Sequence, residues 1–276
     1  MKAGCVTLLC LAALSGPAWA QPTTVKVGVE GAFPPWNATT SDGKLVGLDI
    51  DLIGDLCRRA ELTCSLSAGD WAGLIPSLNA GKYDIVLSVG INEIRRKVVD
   101  FTVPYAQGAA TFLVAKDGAV TSLPMTGQPL NLVDHGAADP VMAQIGAALK
   151  GRTVGVVQST SHEQLIRQYF GSGVEVRTYT TSQDRDADVR AGRVDVGFDS
   201  AVYAEATLDK PGNEDLRVAG PLMKGPPLAT DVAIALRKDE AELKARLDKA
   251  IQAAAADGTV RRISVQWSKI DLTPGQ

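Results

Sequence analysis

Two rhythms of apolar residues alternate along this chain. Val25-Lys26-Val27-Gly28-Val29 repeats with period two, the signature of a half-buried strand. From Asp49 to Ala60 the spacing changes, and Ile50, Ile53, Leu56, Cys57 and Ala60 fall on one face of a helix. Leu62 to Leu66 then reads as a short strand. Leu74, Ile75 and Leu78 mark a helix that ends at Gly81, and Asp84-Ile85-Val86-Leu87-Ser88 is an apolar run of buried parallel-strand character.

The second half repeats the scheme. The spacing predicts strands over 152–157, 174–179 and 194–198, with helices over 161–170 and 182–191 between them. LNAGKYDIVLS at 78–88 and VRAGRVDVGFD at 189–199 match closely. Each is a helix end, Ala-Gly, a basic residue, one spacer, then Asp opening an apolar strand. Gly81 and Gly192 fit helix C-caps that want a left-handed backbone. Strands alternating with helices imply an α/β fold with mainly parallel sheets, and the duplicated unit implies two lobes. A further strand at 231–236, a long helix at 240–256 and a short one at 259–267 could complete either lobe. Gly118 to Ala138, rich in Gly, Pro, Ser and Asp, reads as a surface excursion.

The N-terminus changes how much of the chain belongs to that fold. Lys2, the apolar run Val6 to Leu14 and Ala18-Trp19-Ala20 make a secretory leader over residues 1–20, too short to span a bilayer. Cys10 would suit a lipoprotein signal, but Leu9 before it is a poor small-residue match. Cleavage leaves 256 of the 276 residues. The formal charge, −3 for the whole chain, becomes about −4, which argues against a nucleic-acid partner. Cys57 and Cys64 are the even pair left in an exported chain, so a disulfide is expected. No metal or cofactor is expected: His135 and His162 lack CxxC or HxxxH companions.

No strong catalytic signature is present: no GxSxG, no GxxxxGK[ST], no HExxH, and no GxGxxG after a strand. Ser159-Thr160-Ser161-His162 falls at a strand-to-helix junction, where a capping hydroxyl with Glu163 in the first turn is favoured over a nucleophile–base pair. Such a helix start also binds carboxylates. Arg95, beside Arg96 and Lys97 after the strand at 84–88, is placed to clamp a carboxylate. Asp199, ending the matching strand, either accepts from an ammonium or caps the helix that follows. The segment EGAFPPWN, 30–37, ends the first strand with a carboxylate and two rings around Pro34-Pro35. Together these describe a cleft for a small zwitterion.

GKLVGLDIDLIGDLCRR, DWAGLIPSLNAGKYDIV, RRKVVDFTVPY, LKGRTVGVVQSTSHE and ALRKDEAELKARLDKAI followed by ADGT carry a resemblance over essentially the whole mature chain. It resembles the periplasmic solute-binding proteins of polar amino-acid ABC transporters. Within them it looks most like the branch for lysine, arginine, ornithine and histidine and for the opines octopine and nopaline. EGAFPPWN, the Cys57/Cys64 spacing and an insert at about 117–142 are typical of that branch. The resemblance implies a two-lobed periplasmic binding protein fold of type II, with lobe I at 21–107 plus 230–276 and lobe II at 108–229. The hinge crossovers would lie near Tyr105–Ala110 and Gly225–Thr230. It implies a periplasmic monomer delivering an amino acid or opine to an inner-membrane ABC permease.

Residue by residue, the resemblance gives Arg95 the α-carboxylate, with Thr160 and Ser161 assisting, and Asp199 the α-ammonium. Phe33 and Trp71 take the aromatic positions flanking the ligand side chain, and Glu30 the acid facing a distal cation. Ser88, Val89, Gly90, Val157 and His162 complete the expected lining. Three departures bear on the ligand. Gly90 stands where a hydroxyl is usual, the strand before Asp199 is one residue short, and His162 replaces a common glutamine. The alternative is a periplasmic dehydratase of the cyclohexadienyl type with Glu30 as general acid. A sensory receptor domain is the third class, and it would need a separate signalling partner.

Overall fold

The computed structural model describes residues 23–275, so the leader expected at 1–20 lies outside the described residues. Thr23–Val29 forms the first strand and pairs in parallel with Leu62–Ala68 on one side and Ile85–Gly90 on the other. Asp231–Leu236 adds to this sheet antiparallel to Ile85–Gly90, followed by Asp100–Phe101 at the edge. The late strand therefore completes the early sheet, a choice the pattern alone left open. Helices Leu48–Arg59, Ala241–Ala256 and Thr259–Ser268 cover one face, burying Leu52, Ile53, Leu56, Leu247, Ile251 and Ile263. Ile50, expected on the buried face of the first helix, is only half-buried.

A second sheet runs Pro129–Asn131, Leu216–Lys224, Ala110–Ala115, Val196–Ser200, Thr153–Val157 and Glu175–Tyr179. Its last three strands are parallel, and Ala110–Ala115 is antiparallel to both neighbours. Helices His135–Leu149, Ser161–Phe170, Ser182–Arg190 and Ala201–Leu208 flank it. The duplicated Ala-Gly-basic-x-Asp unit has the same local chemistry in both sheets. Gly81 and Gly192 take φ of 77° and 67°, where a side chain would be strained. Asp84 accepts the backbone N–H of Lys26 at 2.8 Å, and Asp195 accepts that of Thr153 at 2.7 Å. Each Asp thus ties its own strand to the backbone of the neighbouring one.

The surface excursion expected over 118–138 is exposed along most of its length but is anchored in the second sheet. Val120, Leu123, Leu130, Leu132 and Ala138 are buried in the core of the second sheet, Pro129–Asn131 is a strand, and a helix begins at His135. These apolar residues follow neither a two-residue nor a 3.6-residue period, because they fill a sheet edge one at a time.

Cys57 and Cys64 are bonded, with their Cα atoms 6.2 Å apart. The bridge joins a helix end to the next strand. Cys57→Ser with Cys64→Ser is expected to lower stability by roughly 2–3 kcal/mol through the freed loop. A urea midpoint matching that of the oxidised protein would refute it.

Candidate functional site

Two chain passages link the sheets side by side. Gln107 and Ala106 pair with Asp231 and Val232, Gly108 N–H donates to Thr230 O at 2.9 Å, and Gln107 Nε2 donates to Asp231 at 2.7 Å. The carboxyl ends of the parallel strands of both sheets open onto the space between them, where open α/β sheets bind ligands. That space is a cleft of about 660 Å³, counting its open mouth, and both sheets line it.

EGAFPPWN forms one wall. Ala32–Phe33 pairs with Asn37–Thr39 as a hairpin around Pro34-Pro35-Trp36, and Leu45–Val46 extends it. Gly31 N–H donates to Asn37 Oδ1 at 2.7 Å, bracing the turn. Glu30 projects into the cleft, and no hydrogen-bond donor reaches its carboxylate among the described residues. Burial first, then the negative charges of Asp199 and Asp70, push its carboxyl up to about 7. It is a carboxylate short of a cation.

At the other end, Asn92 caps the short turn Glu93–Arg96 by accepting from Arg95 N–H. Arg95 is 8% exposed. Nη1 donates to Gly90 O at 2.8 Å, Nη2 to Ser159 O of the second sheet at 3.2 Å, and its guanidinium lies 5.1 Å from the Trp71 ring centroid. Trp71 Nε1 donates to the same Ser159 carbonyl at 3.3 Å. Burial lowers Arg95 to about 10, which leaves it cationic at neutral pH. Three of its five N–H groups remain free for an anion.

The helix start at 160–161 behaves as the capping reading expects. Thr160 Oγ1 donates to Val157 O at 2.7 Å and accepts from Glu163 N–H at 3.1 Å. Ser161 Oγ accepts from Ala229 N–H at 3.2 Å. The Thr160 O–H is spent on Val157 O, whereas Ser161 only accepts, so this turn offers a carboxylate its backbone N–H groups and the Ser161 O–H. His162 is half-buried and edge-on against Phe198, with ring centroids 5.6 Å apart. Burial, opposed by Asp199 and reinforced by Arg185 and Arg95, lowers its pKa and keeps it neutral.

Of the residues expected to line the site, Glu30, Phe33, Trp71, Ser88, Gly90, Arg95, Val157, Thr160, Ser161, His162 and Asp199 all do. Val89 does not. It is fully buried with Leu74, Tyr83 and Phe101 on the far side of its sheet. Strand alternation puts Ser88 and Gly90 on one face and Val89 on the other, so period two alone could have removed it. Ser88 points its hydroxyl to Asp49, which also accepts from Asn37 at 2.8 Å and Tyr105 at 2.6 Å. Burial outweighs these donors and pushes Asp49 up to about 6. Asp199 does not cap the following helix; Ser200 occupies that position.

Trp36, Ser182, Ser200 and Val232 also line the cleft, and Ser182 and Ser200 had no distinguishing signal in the sequence. Trp36 was in view within EGAFPPWN. Val232 belongs to a strand whose sheet the pattern alone left open and the resemblance assigned to lobe I. Phe33 stacks on Tyr203, centroids 5.3 Å apart and planes 7° from parallel, a pairing across 170 residues of chain.

Gly90 has a steric reason. A Cβ there would lie 2.3 Å from Ala229 O, so a hydroxyl-bearing residue has no room. Gly90→Ser is expected to lower stability by more than about 1 kcal/mol and to weaken binding of every ligand. A thermal midpoint equal to the parent's with tighter binding would contradict this.

The chain is similar in sequence to curated proteins along nearly its whole length. The octopine-binding periplasmic protein of Rhizobium meliloti is 35% identical, covering 97% of this chain and 98% of that protein. The L-arginine-binding protein of Pseudomonas aeruginosa is 32% identical over 96% and 95% respectively. An ancestral arginine-binding protein solved with arginine superposes with a TM-score of 0.74 at 28% identity, covering 88% of this chain and 97% of that one. The family described as bacterial extracellular solute-binding proteins, family 3, matches residues 25–270, and with two sheets flanking a cleft lined by a buried arginine and by a glutamate that no donor among the described residues reaches, this chain belongs to that family.

Proposed function

We propose that this protein captures a cationic amino acid or an opine in the periplasm and delivers it, as a monomer, to an inner-membrane ABC permease. The observation that carries the reading is the pair of unmet charges across one cleft: Arg95 with free N–H groups, and Glu30 with no cation. A ligand with a carboxylate at one end and an ammonium or guanidinium at the other answers both. The names of the octopine- and arginine-binding relatives support the class. Lobe I, 21–107 plus 230–276, and lobe II, 108–229, close about the two crossovers. Arg95 of lobe I reaches Ser159 of lobe II, so a ligand shared between the lobes favours closure. Phe33 and Trp71 wall the ligand side chain, and Asp199 accepts from the α-amine.

Calorimetric titration with arginine, lysine, ornithine, histidine, octopine, nopaline and glutamine tests this. Affinity near micromolar or tighter, on the order of −8 kcal/mol, for a cationic member is the expected result. Preference for glutamine would keep the binding role and remove the cationic one.

A dehydratase reading draws on one observation. A carboxyl held near 7, as Glu30 is, suits a general acid at neutral pH. Turnover of arogenate or prephenate, with no binding across the panel, would favour it.

A further inference from the structure

Behind the cleft, Asp199 joins a buried charge cluster whose other members the proposed binding roles do not use. Arg185, on the helix Ser182–Arg190, has a fully buried side chain. Nε and Nη2 donate to Asp186 Oδ1 at 2.9 and 2.6 Å. Nη1 donates to Phe198 O at 3.3 Å and to Asp199 Oδ2. Asp186 Oδ2 accepts from Tyr203 OH at 2.7 Å, and the guanidinium lies 5.5 Å from the Tyr203 ring centroid.

The sheet is carved to admit this side chain. Gly155 and Gly197 are register partners on adjacent strands. A Cβ on Gly155 would lie 2.8 Å from Arg185 Cγ, and one on Gly197 would lie 2.9 Å from Nε.

Counting acceptor sites on Asp199 shows what the cluster does. A carboxylate oxygen has two lone pairs. Oδ2 spends both, on Arg185 and on Ser182 Oγ at 2.6 Å. Oδ1 accepts Ser200 N–H at 2.7 Å and keeps one, with His162 Nδ1 at 3.6 Å, beyond hydrogen-bonding reach.

The geometry points to Arg185 as a positioning residue for amine recognition: by holding Oδ2 it fixes the Asp199 carboxylate so that Oδ1 meets the ligand with a single acceptor site. This rests on the reading of Asp199 as the amine acceptor. One cation between two carboxylates leaves the cluster one negative charge, which a ligand ammonium balances. Burial raises the Asp199 pKa, and the Arg185 charge with the hydrogen bonds from Ser182 and Arg185 outweighs it, so the acid stays ionised. Through Asp186 and Tyr203 the cluster also reaches Phe33, the wall across the cleft.

The test uses two probes, arginine and its 2-hydroxy analogue, in which a hydroxyl replaces the α-amine. The quantity read is the ratio of their dissociation constants. Arg185→Met is expected to reduce the preference for the amine at least about tenfold, the scale of one charge-assisted hydrogen bond, with Arg185→Lys recovering part of it. Ser182→Ala, which removes no charge, reduces it roughly two- to fivefold. Equal weakening of both probes would assign Arg185 a structural role and overturn the inference. If Arg185→Met does not fold, an unchanged ratio in Ser182→Ala overturns it instead. Asp199→Asn separates the two levels. If that variant keeps the ratio, or if arginine does not bind the parent protein, the amine seat itself is wrong and the inference falls with it. If Asp199→Asn collapses the ratio while the Arg185 variants leave it alone, only the inference fails.

Discussion

Arg95→Ala is expected to weaken binding of every ligand bearing an α-carboxylate by about 10²- to 10³-fold, as expected when one member of a desolvated, hydrogen-bonded charge pair is removed. The guanidinium is held by its own lobe, by Gly90 O and by the Trp71 face. Little ordering entropy is then lost on binding. Arg95→Lys keeps a charge and loses the planar fork, so it recovers only part of the affinity. Titration of both variants, with thermal midpoints to confirm folding, checks this. A loss below about tenfold in Arg95→Ala would move the carboxylate to the helix start at 160–161.

Glu30 supplies the second large effect, and its sign follows from its pKa. In the empty cleft the carboxyl is pushed up to about 7 by burial and by Asp199 and Asp70. A cationic ligand tail binds the ionised form, so binding releases a proton at and below neutrality. Affinity for arginine should fall about tenfold per pH unit from 7 down to 5, following the ionised fraction. Glu30→Gln should cost about 10² at pH 8 and flatten the profile. Stability of the empty protein runs the other way. A carboxyl whose folded pKa is raised from 4.5 stabilises most below 4.5, and that contribution is lost as pH rises through about 7. Asp49, pushed up to about 6, adds a pH effect that Glu30→Gln does not remove. Titrations at pH 5 to 8 in buffers of different ionisation enthalpy measure the released proton directly. A flat profile in the parent protein would remove Glu30 from the cation seat.

The regular elements were legible because burying one face forces a period on the sequence. Ser161–Phe170 and Asp231–Leu236 begin and end where their patterns do. Elements serving an edge or a mixed environment were not. Ala110–Ala115, Leu216–Lys224 and Ala201–Leu208 carry no amphipathic rhythm, being buried on several sides. The buried anchors of the excursion over 118–138 were not legible for the same reason.

For the site, the chain order of charges and rings was enough to propose an arginine, an acid and flanking aromatics. Residue type and distance from a strand end are local properties, and the strand ends converge in this architecture. Three matters needed the folded molecule. Which sheet received Asp231–Leu236 depended on Ile85–Gly90 being free to pair. Val89 left the site and Trp36, Ser182 and Val232 entered it through the orientation of their elements. The hydrogen bonds of Asp199 come from Ser182 and Arg185, whose place beside it depends on two glycines in register across neighbouring strands. Periodicity reports what one segment must bury. It carries no information on which distant segment supplies the partner for a buried charge, because that contact costs or stabilises only once both have left water.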